Sequence, residues 1–142
     1  MKKAELNLRH RLRDAMNGSW LLTWHEDRHI NPGVPDLSFV MKKGNCETGW
    51  IELKAEREYD SKGKVNFCVE PSQIDWIERH RERVPIFFMV AVGEDWFLLS
   101  GIWSKHLQNV TRDDLYQGAI AHGTLDTLRD VTAPLIARTT RK

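Results

Sequence analysis

GVPDLSFVM at residues 33–41 and WIELKA at residues 50–55 are the stretches whose reading decides how this chain folds. Leu37 to Met41 reads as one β-strand and Trp50 to Ala55 as another. The polar segment between them, from Lys42 through Gly44 and Cys46 to Gly49, makes them a hairpin with a longer loop. In the second strand Glu52 and Lys54 are two positions apart, so their side chains share one face while Ile51 and Leu53 take the other. Alternation of this kind is what any half-exposed strand shows. The hairpin gives it more weight, because pairing the two strands carries Asp36 to the end of the sheet where Glu52 and Lys54 stand. Two carboxylates and one ammonium then converge from separate parts of the chain.

Working outward, Leu6, Leu8, Leu12 and Met16 are spaced for a helix over Ala4 to Met16, with Asn17-Gly18 as its stop. Trp20 to Thr23 reads as a short strand, and Asp27 to Gly33 as irregular backbone in which Pro32 holds Asn31 extended. Arg57 to Lys64 is polar, contains Gly63 and predicts a mobile excursion. Pro71 and Ser72 open a second helix, with Ser72 as the cap, Asp75 in the capping-box position, and Ile74, Trp76 and Ile77 on the buried side. Ile86 to Val92 has the continuous apolar character of a central strand, and Gly93-Glu94-Asp95 turns it into an antiparallel neighbour over Trp96 to Leu99. From Ser104 onward the pattern predicts short helices and loops. The order of elements favours an α/β fold, a mixed sheet with helices against it.

The 142 residues are enough for one ordinary domain. We expect its core over about residues 4–100 and a helical or loop extension over 104–142. Apolar residues at 41% and charged residues at 29% indicate a globular chain, and six tryptophans exceed what packing alone requires. A formal net charge of +1 carries no whole-chain nucleic-acid signature, so a DNA partner needs local patches. Candidates are Lys2, Lys3, Arg9, Arg11 and Arg13, then Lys62 and Lys64, then Lys105, His106 and Arg112, and finally Arg138, Arg141 and Lys142. Cys46 and Cys68 have neither disulfide-scaffold nor zinc-site spacing. The charged start and the absence of a long apolar run predict a cytoplasmic protein without a membrane anchor.

Paired carboxylates are hard oxygen donors that suit magnesium or manganese, ions that activate water and stabilise charge developing on a phosphoryl group. The carbonyl of Leu53 is a further candidate ligand. Three roles are open to Lys54: positioning the attacking water, helping to deprotonate it, or stabilising the developing negative charge.

Taken in order, Gly33-Val34-Pro35-Asp36, then Ile51-Glu52-Leu53-Lys54, then Pro71-Ser72-Gln73 at the start of a helix, resemble the PD-(D/E)xK nucleases. The likeness is to their virus-type replication-repair branch in particular and spans roughly residues 4–92. It implies a restriction-endonuclease-like mixed central sheet flanked by helices. It also implies that Asp36 and Glu52 bind magnesium or manganese, that Lys54 completes the catalytic trio, that Gln73 supports the site, and that Glu5 of the first helix faces the same ion. Related folds include Holliday-junction resolvases. From the resemblance we therefore expect a metal-dependent DNA endonuclease acting on flap or branched DNA, a homodimer, and a phage or prophage origin with a role in replication or recombination. Apart from the family, Glu5 is an acid suited to the positive end of its helix and Gln73 an ordinary first-turn residue.

Two other readings compete. His25-Glu26-Asp27-Arg28-His29 spells the H-E-x-x-H of zinc metalloproteases, which need that motif on a helix; here it follows a strand and runs into Asn31-Pro32-Gly33. A non-catalytic nucleic-acid-binding module on the nuclease fold is the second, and metal-dependent hydrolysis separates it from the enzyme.

Overall fold

A computed structural model describes residues 2–25, 32–42 and 48–139. Helix α1 (Lys3–Met16) buries Leu8, Leu12 and Met16, one stripe at four-residue spacing. Leu6 was expected on that stripe but is 42% exposed, because two residues before Leu8 is more than half a helical turn away. Strand β1 (Trp20–Trp24) follows, then β2 (Leu37–Met41), β3 (Gly49–Glu56) and a short β4 (Lys64–Val65). Helix α2 (Pro71–His80) leads to β5 (Ile86–Val92) and β6 (Asp95–Ser100). Beyond a 3₁₀ turn at Gly101–Lys105 come β7 (Val110–Thr111), α3 (Arg112–Gly118), β8 (Ala121–Thr124), a second 3₁₀ segment at Leu125–Val131, and α4 (Thr132–Thr139).

Six strands form the central sheet in the order β1-β2-β3-β5-β6-β8, while β4 and β7 make a separate two-stranded ladder. Neighbours run antiparallel except β3 and β5, which are parallel, with α2 in the connection between them. Because side chains alternate across the sheet, its two faces collect separate cores. On one face Leu37, Phe39, Ile51, Leu53 and Met89 pack with Leu8 and Leu12 of α1 and with Leu128 and Leu135. On the other, Phe88, Val90, Phe97 and Leu99 pack with Ile77 of α2 and Leu115 of α3.

Three local expectations need correction. The cap of α2 is Glu70 rather than Ser72: Pro71, which lacks an N–H and has a helix-ready φ, takes the first helical position, so Gln73 instead of Asp75 becomes the third. The segment 57–64 is tied down, since the Asp60 carboxylate accepts hydrogen bonds from the amides of Lys62 and Lys64, and β4 pairs with β7. The region after Ser104 holds more than helices and loops. Its strand β8 extends the central sheet against β6, although Ala-His-Gly-Thr has no apolar alternation to announce it.

No helix among the described residues is long and apolar enough to cross a membrane. Most of the hairpin turn with Cys46, the Glu26 to His29 part of the protease-like motif, and the basic residues Arg141 and Lys142 lie outside the described residues.

Candidate active site

Among the described residues β2 and β3 are paired over Leu37↔Ile51, Ser38↔Trp50 and Phe39↔Gly49; β3 then continues to Glu56 beside β5. Asp36, the first residue before β2, stands where this ladder ends. Its backbone carbonyl accepts the His25 amide at 2.9 Å, and its side-chain Oδ2 accepts the Leu53 amide at 2.9 Å. A carboxylate therefore replaces the next rung of the ladder. In an extended strand the N–H and C=O of one residue lie on the same edge, so the Leu53 carbonyl shares this edge with the Asp36 side chain.

The turn before Asp36 is fixed by Gly33. Its φ is +85°, and a Cβ there would lie 2.1 Å from the carbonyl oxygen of Ser72 in the first turn of α2. Only glycine satisfies both conditions. The close approach locks the segment carrying Asp36 against the helix turn carrying Gln73.

Glu52 and Lys54 project from β3 on the α2 side of the sheet, as their alternation with Ile51 and Leu53 requires. Glu52 is 1% and Lys54 8% exposed, with Gln73 at 4% and Asp36 at 9%. Gln73 joins them. Its Oε1 accepts from Lys54 Nζ and from the Glu70 amide, each at 3.0 Å, while its Nε2 donates to Glu52 Oε1 at 3.0 Å. Only one orientation of the amide satisfies all three bonds, so Gln73 is held by the helix cap and in turn holds both charges. Lys54 Nζ stands 3.8 Å from Glu52 Oε1, a largely buried ion pair.

Glu5 sits partly buried in the first turn of α1, on the stripe that continues through Leu8 and Leu12. That helix packs on the Leu53 face of β3, opposite the face bearing Glu52 and Lys54. Among the described residues no three Asp, Glu, His or Cys side chains form a group that could hold a metal ion by themselves. His25 lies just past β1, with Nε2 2.9 Å from Ser38 Oγ, so the first residue of the protease-like motif leaves a strand rather than entering a helix.

A cavity of about 490 Å³ opens at the other end of α2, lined by Glu78, Arg81, Ile102, Trp103, Lys105 and His106. The buried quartet, at the opposite end of the helix, differs from this cavity in the depth at which it holds its charges. Glu78 in that cavity accepts the Ser104 hydroxyl at 2.8 Å, and this bond, with Arg81 beside it, holds the Glu78 carboxyl below the usual range. Of the features that the sequence reading missed, Glu70 had a signal in its place before Pro71. The aromatic neighbours of the site had one only in the number of tryptophans.

No family model matches the chain, and no curated protein matches it. Among solved structures it is similar to Hjc, a Holliday junction resolvase from the archaeal hyperthermophile Archaeoglobus fulgidus, with a TM-score of 0.53 at 11% identity over 81% of this chain and 89% of that one. The chain thus has, in its six-stranded mixed sheet flanked by helices, the restriction-endonuclease-like architecture shared with that resolvase.

Proposed function

We propose that this protein is a divalent-metal-dependent DNA endonuclease that hydrolyses phosphodiester bonds in branched or flap DNA. The observation that carries the reading is the buried network of Glu52, Gln73 and Lys54, with Asp36 clamped to the Leu53 amide beside it. Burying two opposite charges can cost as much in desolvation as their attraction returns, so apolar residues would serve stability there at least as well. The order of the GVPD, IELK and PSQ stretches supports the finer assignment to the virus-type replication-repair branch.

In this reading Asp36, Glu52 and the Leu53 carbonyl hold magnesium or manganese, and these donors fit, being all hard oxygens; Glu5 enters the set only through the family likeness, since its helix packs on the opposite face of β3. Such an ion, when bound, supplies Lewis acidity and neutralises charge on the phosphoryl oxygens. The Leu53 amide fixes one oxygen of Asp36, and Gln73 fixes one oxygen of Glu52, so neither carboxylate must reorganise during the reaction. Lys54 carries three N–H donors, of which Gln73 takes one, leaving others to position the attacking water or to stabilise negative charge on the phosphate. Two copies of the chain, one per scissile strand, suit a symmetric junction, so a homodimer belongs to the same proposal.

The test is strand cleavage of matched linear, flap and four-way DNA with magnesium, manganese or excess chelator, using the wild type and Asp36→Asn. The proposal expects metal-dependent cuts, preference for a branched substrate, and their loss in the variant. Binding without cutting under every metal condition overturns it in favour of a non-catalytic DNA-binding module.

A further inference from the structure

Beside the quartet, four aromatic rings run in a row along the same face of the sheet. His25 and Trp50 have centroids 4.8 Å apart, Trp50 meets Trp76 edge-on at 5.1 Å, and Trp76 is stacked on His80 at 3.9 Å with 15° between the planes. The row joins three elements: the end of β1, the start of β3 and the α2 helix. All four residues are half-buried, unlike Trp20 and Trp96, which are buried in the core.

The row is pinned. His25 Nε2 lies 2.9 Å from Ser38 Oγ, and His80 Nδ1 donates to the Trp76 carbonyl at 2.6 Å. Rings held in place pay little ordering entropy when a further ring joins them. The row is also continuous with the quartet: Trp50 and Glu52 are neighbours on one face of β3, roughly 7 Å apart along the strand, Trp76 is one helical turn from Gln73, and His25 is bonded to the backbone of Asp36. On its far side the sheet face turns open, with Leu21 54% exposed.

We infer that this aromatic row is a stacking ledge for an unpaired nucleobase of the substrate, next to the phosphate to be cut. The inference rests on the nuclease reading and deepens it. Bases in a duplex have both faces covered by their neighbours, so a ledge offers something only to a nucleotide outside the stack, as at a flap, a fork or a junction. Stacking of this kind accepts any base, in keeping with a chain that shows no base-reading motif.

The experiment measures binding of forked DNA in excess chelator, where nothing is cut, with each unpaired nucleotide near the fork replaced in turn by an abasic one. We expect the wild type to lose about tenfold in affinity at one or two such positions. Trp76→Leu keeps apolar bulk without the ring; it should bind the intact fork about tenfold more weakly and become indifferent to abasic replacement, while Trp76→Phe retains the discrimination. A wild type indifferent to abasic sites, or a Trp76→Leu protein that still discriminates, overturns the inference and leaves a packing cluster. Cleavage with metal, measured in parallel, separates the two readings. Cutting without base discrimination sinks the ledge alone, and discrimination without cutting sinks the nuclease alone.

Discussion

Strands β3 and β5 lie side by side and parallel, in register, and both buried through their centres, yet they are built from different chemistry. Glu52 sits opposite Phe88 and Lys54 opposite Val90, and all four are buried. Every residue of β5 is apolar, so burying it is favourable at about 25 cal/mol per Å² of apolar surface. At the matching depth β3 carries a carboxylate and an ammonium, which must be matched to each other and to Gln73 merely to break even. The contrast separates the part of the sheet whose burial drives folding from the part whose burial the fold must accommodate.

Changes in the two strands should therefore fail differently. Phe88→Ala removes a fully buried ring and leaves a cavity. We expect a loss of about 3–5 kcal/mol in denaturant-induced unfolding, with cleavage per folded molecule retained. Gln73→Leu removes the bridge between the charges without changing the strands. Its cleavage rate should fall about 10- to 100-fold, the usual cost of losing a group that orients a ligand, with a smaller change in stability than Phe88→Ala.

The smallest effect is expected away from both strands, at Ser104. Ser104→Ala removes the hydroxyl that most strongly depresses the Glu78 carboxyl, so that carboxyl should titrate closer to its ordinary range, measured residue by residue by NMR. A depressed carboxylate contributes stability that is present above its unfolded pKa and lost as pH falls through its folded one. The stability difference between wild type and Ser104→Ala should accordingly shrink on acidification. Cleavage at neutral pH should not change.

What the sequence disclosed follows the same division. β5 was legible because seven consecutive apolar residues admit one reading in this context, and the β2–β3 hairpin because its alternation and polar connection agree. The meeting of Asp36 with β3 was legible too, since register alone brings it there; the structure adds that it caps the Leu53 amide. Strand β8 was hidden, because pairing with β6 and not its own composition makes it a strand. That Gln73 supports the site was implied by family likeness, whereas its bonds to Lys54 and Glu52 and to the Glu70 amide depend on the true cap of α2, displaced by Pro71. Gly33 read as a turn residue. Its second reason, contact with Ser72, is long-range and leaves no local trace.

The most direct test of the account pairs two readouts on one protein, Glu52→Met with Lys54→Met. Both charges leave together, so neither is stranded, and similar apolar volume takes their place. Thermal unfolding and metal-dependent cleavage of branched DNA are then measured beside the wild type. The account predicts a protein about as stable as the wild type, the relief from desolvating two charges being offset by the Gln73 Nε2 that loses its Glu52 partner, and one that no longer cuts DNA. A variant that unfolds readily, or one that still cuts, would contradict the claim that β3 buries its charges for chemistry.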